Sequence, residues 1–253
     1  MSAYYPVLLR LEGKRCVVVG GGWGTAERVR ALLDAGAEVT LISPAAEPET
    51  EQLAREGRIQ WHAREYRPGD LEAAFLAIAC PPDRAGNAGI WAEAEARGIP
   101  MNAVDDAPHC SFIFPAIHRQ GDLVIAVSSG GKSPALASRI RDRIAREVGP
   151  GYGRFLAMLG QLRAEVIERF PGFERRREIW YRLVDSRALE LIEAGGPEAA
   201  LAELRGVLES AAVRESGDRS QETGVADSRP CVLDPEPAPR SNGSPRANPE
   251  SHS

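Results

Sequence analysis

The chain has 253 residues, 43% of them hydrophobic and 26% charged, and a formal net charge of −5. The composition is globular, the charge argues against a general nucleic-acid binder, and no run of ~18 apolar residues offers a membrane span. Met1-Ser2-Ala3-Tyr4-Tyr5 lacks a basic stretch followed by an apolar one, and Cys16, Cys80, Cys110 and Cys231 form no CxxC pair. A secretory signal, a disulfide framework and a structural zinc site are therefore not expected, and the cytoplasm is the expected compartment.

The first hundred residues alternate short apolar runs with helical patterns. Strands are expected at 15–19, 38–42, 59–63, 76–79 and 100–104. A helix is expected at 25–35, where Ala26, Val29, Leu32 and Leu33 share one face and Gly36 marks the stop. A second is expected at 83–97, with Gly98 just past its end. Strands alternating with helices predict right-handed βαβ units and a doubly wound parallel sheet, an α/β Rossmann-like domain over residues 1–112.

The pattern then switches. Residues 111–116 and 123–128 read as two β-rich runs joined through His118-Arg119-Gln120-Gly121-Asp122. From Gly130-Gly131 the chain is helical, with helices expected at 134–148, 152–169, 173–185, 187–194 and 197–210. These give a small β-rich region over 113–150 and a helical module over 151–212. Residues 213–253 hold six prolines and almost no large apolar side chains, and are expected to be a disordered tail.

Cys16-Val17-Val18-Val19-Gly20-Gly21-Gly22-Trp23-Gly24-Thr25 runs from a buried strand into a helix. Gly20 and Gly22 fill the first two positions of a dinucleotide fingerprint, and the third falls on Thr25. Such a turn needs permissive backbone angles, lets a pyrophosphate approach closely and offers helix N-terminal donors. The second strand ends Leu41-Ile42-Ser43-Pro44-Ala45-Ala46-Glu47, with no acidic residue at its tip. Ser43 could bond either dinucleotide, so NAD and NADP stay undecided here.

Asp105 and Asp106 follow the fifth strand, where ligands of doubly wound sheets bind. One of them is a candidate general base; the competing reading is a turn cap. In Ser128-Ser129-Gly130-Gly131-Lys132-Ser133-Pro134 the spacing of an ATP phosphate loop is absent, but a helix N-terminus with Lys132 suits an anion. Residues 130–182 carry 12 Lys/Arg against 6 Asp/Glu, with Arg139, Arg143 and Arg146 on one stripe. That stripe reads either as a pocket for a polyanion or as a solvated helix face. The four histidines show no metal-ligand spacing, and His109 near Asp105 is the one closest to the crevice.

In order, Val18-Val19-Gly20-Gly21-Gly22, Ala35-Gly36-Ala37-Glu38-Val39-Thr40, Asn102-Ala103-Val104-Asp105, Ser111-Phe112-Ile113-Phe114-Pro115-Ala116 and Ser128-Ser129-Gly130-Gly131-Lys132-Ser133-Pro134-Ala135-Leu136-Ala137 resemble the precorrin-2 dehydrogenase module of siroheme synthases, over about residues 4–210. The resemblance implies NAD-dependent oxidation of precorrin-2 to sirohydrochlorin, with ferrous iron insertion to siroheme in some members. It implies a homodimer whose interface is formed by the hairpin region and helices, with the dimerisation region placed at 113–150. Because 213–253 reads as a disordered tail, no counterpart is expected for the methyltransferase domain fused in some bacterial siroheme synthases. It puts the key aspartate on Asp105 and cofactor contacts on Trp23, Gly24, Pro44 and Ala45. A serine phosphorylated in a relative falls on Ser129. The expected cofactor set is thus Gly20, Gly22, Trp23, Gly24, Thr25, Ser43, Pro44 and Ala45. Ser129, Lys132, Arg139 and Arg143 are expected to hold the tetrapyrrole, and no protein metal cage is expected. Two competing functions are an NAD-sensing regulatory module without catalysis and a chelatase without redox activity.

Overall fold

A computed structural model describes residues 4–22, 24–80 and 84–218. Trp23 and residues 219–253 lie outside the described residues, so the expected contact at Trp23 and most of the expected tail do as well. The chain divides into two compact units, Met1–Gly149 and Pro150–Ser253.

In the first unit, β1 (Arg15–Val19), β2 (Glu38–Ile42), β3 (Gln60–His62), β4 (Leu76–Ala79) and β5 (Met101–Ala103) form a parallel sheet in the order β3-β2-β1-β4-β5. Helices α1 (Thr25–Asp34), α2 (Pro48–Arg55) and α3 (Asn87–Arg97) complete the βαβ units. β1 is apolar from Cys16 to Val19 because both of its faces are covered. Cys16 and Val18 enter one core with Val29 and Leu32 of α1, whereas Val17 and Val19 enter a second with Ile90 and Ala94 of α3. Gly98 ends α3 in the left-handed conformation, φ 66°.

Three expectations change. Helix α2 was not expected, because its sequence is mostly polar and only Thr50 and Leu53 are buried. Helix α3 starts later than expected, after a 3-10 turn at Arg84–Gly86. The run at 111–115 is not a strand. Its start instead docks on the exposed edge of β5: the Ser111 N–H donates to Met101 O at 2.8 Å, Ser111 Oγ accepts from Met101 N–H at 2.8 Å, and Asn102 Nδ2 donates to Phe112 O at 2.8 Å. These bonds occupy edge groups that another strand would otherwise seek.

The antiparallel hairpin therefore begins at Ala116: β6 (Ala116–Gln120) turns through Gly121, φ 58°, into β7 (Leu123–Val127). Helix α4 (Pro134–Glu147) follows, with Pro134 in its first turn and Ser133 Oγ capping the Leu136 N–H at 3.2 Å. His118 Nε2 donates to Val148 O at 2.7 Å, tying the hairpin to the end of α4.

The second unit contains α5 (Pro150–Arg169), α6 (Phe173–Val184), α7 (Ala188–Glu193) and α8 (Pro197–Asp218). Phe155, Leu159, Leu162 and Val166 recur at helical spacing on α5 and pack with Phe170, Ile179, Leu183, Leu204 and Leu208. Helix α8 continues through residues 213–218, which the sequence had assigned to the tail. Among the described residues no helix is long and apolar enough to cross a membrane.

Candidate active site

The strand order reverses between β1 and β4, so loops leaving these parallel strands diverge and open a crevice at their carboxyl ends. A cavity of about 390 Å³ lies there, lined by Val19, Gly20, Gly21, Gly22, Ile42, Ser43, Pro44, Ala45, Glu65, Tyr66, Gly86 and Ile90. Gly20 takes φ 97° and Gly24 φ 83°, angles that other residues rarely adopt. Gly21 is required for a different reason: a Cβ there would stand 2.0 Å from Ala45 O and 2.8 Å from Ser43 Oγ. The turn after β1 and the loop after β2 thus touch backbone to backbone. The N–H groups of Gly21 and Gly24 have no partner among the described residues. A narrow glycine cradle with free amides at the start of a helix fits a dinucleotide pyrophosphate.

Not every expected cofactor residue faces this cradle. Gly20, Gly22, Ser43, Pro44 and Ala45 line the cavity. Thr25 is fully buried; its hydroxyl donates to Gly20 O at 3.3 Å and its N–H to Gly22 O at 3.2 Å, so it braces the turn from within. Ser43 is 3% exposed and donates to Ala45 O at 2.5 Å, which engages the hydroxyl that was to meet the ribose. Glu47 was not singled out from the sequence. Its Oε2 accepts the Ala26 N–H of the first turn of α1 at 3.2 Å, placing a carboxylate on that helix start. Glu65 and Tyr66 were not singled out either, because they reach the cavity from a loop more than twenty residues further along the chain.

Asp105 and Asp106 divide the two roles left open by the sequence. Asp106 is the turn cap: its Oδ2 accepts Asn87 Nδ2 at 2.8 Å and lies 2.7 Å from His109 Nδ1. This is also where His109 belongs, packed 6.1 Å between ring centroids from Trp91. Among the described residues no cluster suited to a metal ion is present. Asp105 is exposed, takes the left-handed φ of 57°, and its carboxylate has no partner among the described residues. A non-glycine residue held at positive φ stores local strain, a feature concentrated at functional sites. Asp105 does not line the cavity itself. It follows β5, two strands from β1 and so about 10 Å along the same sheet edge.

The expected substrate residues lie in the turn before α4, Ser129 and Lys132, and along the helix itself, Arg139 and Arg143. Ser129 Oγ accepts the Ser133 N–H at 3.0 Å, and Gly130 and Gly131 both take positive φ. Lys132 and Arg139 are exposed, and Arg143 is exposed beside Glu147 at 3.7 Å. None of these four lines the cavity.

Comparison with known proteins follows this division of the chain. Residues 7–116 match a family model for NAD(P) binding, 120–147 one described as sirohaem biosynthesis protein central, and 151–208 one described as sirohaem synthase dimerisation region. Siroheme synthase 1 of Aeromonas salmonicida (strain A449) is 38% identical over 81% of this chain and 44% of its own length. Over that stretch the chain is similar to siroheme synthases. Siroheme synthase 1 of Serratia proteamaculans (strain 568) is 34% identical over 86% of this chain and 46% of its own length. The chain spans less than half the length of these curated relatives. A solved structure titled SirC, precorrin-2 dehydrogenase, shares the fold with a TM-score of 0.63 at 22% identity, covering 82% of this chain and 98% of that one. The match described as a dimerisation region falls on the helices at 151–208, beyond the region at 113–150 to which the sequence reading gave that label.

Proposed function

We propose that this chain is a siroheme synthase module, an NAD-dependent precorrin-2 dehydrogenase that forms sirohydrochlorin and acts as a homodimer. The observation that carries the reading is Asp105, an unpartnered carboxylate in a strained conformation at the sheet edge that also bears the glycine cradle. Gly20–Gly22 and Ser43–Ala45 would hold the dinucleotide. When bound, NAD supplies the hydride acceptor. Dehydrogenation must also remove a proton, and an Asp105 carboxylate oxygen accepts it from the ring carbon or nitrogen. Asp106, Asn87 and His109 keep the turn in place so that Asp105 alone is presented. Lys132, Arg139 and Arg143 pair with carboxylates of the macrocycle. Asp105 could take pyrrole protons in the same way while ferrous iron enters, with the iron held by the macrocycle nitrogens as a substrate.

The test is the Asp105→Asn variant with precorrin-2 and NAD+, following sirohydrochlorin absorbance. Asn tolerates the left-handed conformation, so the fold is retained. The expected result is a fall in kcat of about 10²–10⁴ with NAD+ affinity changed less than about threefold. Full turnover by this variant removes Asp105 from the reaction. NAD+ binding without any turnover by the wild-type chain points to a sensing module, and metal insertion without oxidation to a chelatase.

A further inference from the structure

We infer that Glu65 is the specificity residue that makes the cavity choose a dinucleotide with a free 2′-hydroxyl; this rests on the cofactor reading above. In doubly wound folds the adenosine ribose lies over the tip of the second strand, and an acidic residue there commonly receives its hydroxyls. The tip of β2 has no such residue, and Ser43 is engaged with Ala45 O. β3 lies beside β2 on the side away from β1, so the loop leaving β3 walls the cavity opposite the glycine turn. That loop brings Glu65 and Tyr66 to the cavity. No lysine or arginine is among the described lining residues.

The loop is fixed on both sides of Glu65. Arg64 donates to both oxygens of Asp70, at 2.7 Å each, and the Arg67 N–H donates to Asp70 Oδ2 at 2.7 Å. Tyr66 donates its hydroxyl to Glu93 on α3, which also accepts the Gly69 N–H at 2.8 Å. The neighbours of Glu65 are thus tied down, while its own carboxylate has no partner among the described residues. A carboxylate held in this way accepts hydroxyl hydrogen bonds and repels a phosphate at the same position. Glu47, bonded to the first turn of α1, adds negative charge on the facing loop.

The experiment measures dissociation constants of NAD+ and NADP+, and of AMP and adenosine 2′,5′-bisphosphate, by calorimetry on the full chain and on Glu65→Gln and Glu65→Lys. The wild-type chain is expected to bind the member of each pair without the 2′-phosphate at least about tenfold more tightly. Glu65→Gln should narrow that ratio, and Glu65→Lys should bring it to about one or invert it. Unchanged ratios in Glu65→Lys overturn the inference while leaving the cofactor reading intact, whereas a wild-type preference for NADP+ overturns the inference and the choice of NAD together. Failure of the wild-type chain to bind either dinucleotide overturns both.

Discussion

Replacing Gly21 with alanine tests the contact on which the cofactor cradle depends. The added Cβ would meet Ala45 O at 2.0 Å, whereas real Cβ contacts essentially never fall below 3.0 Å. The opposing atom is backbone, so no side chain can rotate away, and the two loops must separate by about 1 Å. Overpacking of this kind costs roughly 1–3 kcal/mol, which lowers the melting temperature by roughly 3–10 °C. The same displacement widens the slot for the pyrophosphate, and an error of about 1 Å in a positioning element can cost about a hundredfold. NAD+ affinity of Gly21→Ala, measured by calorimetry, should therefore fall between about tenfold and a hundredfold. Gly89→Ala serves as a control, because a Cβ at this position of α3 meets nothing within 4 Å. It should leave affinity unchanged and raise stability by about 0.5–1 kcal/mol. A Gly21→Ala protein with wild-type melting temperature and wild-type NAD+ affinity refutes the argument.

Further predictions concern the clamp and the basic helix. The Arg64 hydrogen bonds hold Asp70 below its ordinary value of 3.8. Burial opposes ionisation of Glu93, but its bonds from Tyr66 and Gly69 and the charge of Arg97 win, so it too lies below its ordinary 4.5. Because both groups are depressed in the folded state, their stabilisation is present above the ordinary carboxylate range and lost as pH falls through the folded values. Denaturant melts of Asp70→Asn should show lower stability at neutral pH and a shallower loss on acidification; a wild-type slope would count against the clamp. Arg139→Glu on α4 should raise the KM for the tetrapyrrole about tenfold or more without changing NAD+ affinity. An unchanged KM would make this stripe an ordinary solvated face.

Some features were readable because they depend on local chemistry. The strands at 15–19, 38–42 and 76–79 stand where expected because sheets covered on both faces demand continuous apolar runs. The cap at Ser133 with Pro134 behind it was equally plain, since both residues act within one turn. Helix α2 was hidden by its polar sequence, and the edge segment at 111–115 by its β-rich composition. That composition predicts extended backbone but not whether a ladder partner exists. Local chemistry alone could not tell the roles of Asp105 and Asp106 apart, and only the family resemblance pointed to Asp105. Asn87, nineteen residues earlier, engages one of them and leaves the other free.

Order along the chain was enough for the alternation of strand and helix, the glycine turn and the family resemblance, because periodicity and turn chemistry act over a few residues. Assignment of jobs to individual side chains required the folded molecule. Thr25 turned inward, Ser43 was consumed by its own loop, Glu47 folded back on α1, and Glu65 and Tyr66 joined the cavity from β3. Each of these depends on which distant segment lies within hydrogen-bonding reach, and sheet order rather than sequence separation sets that reach.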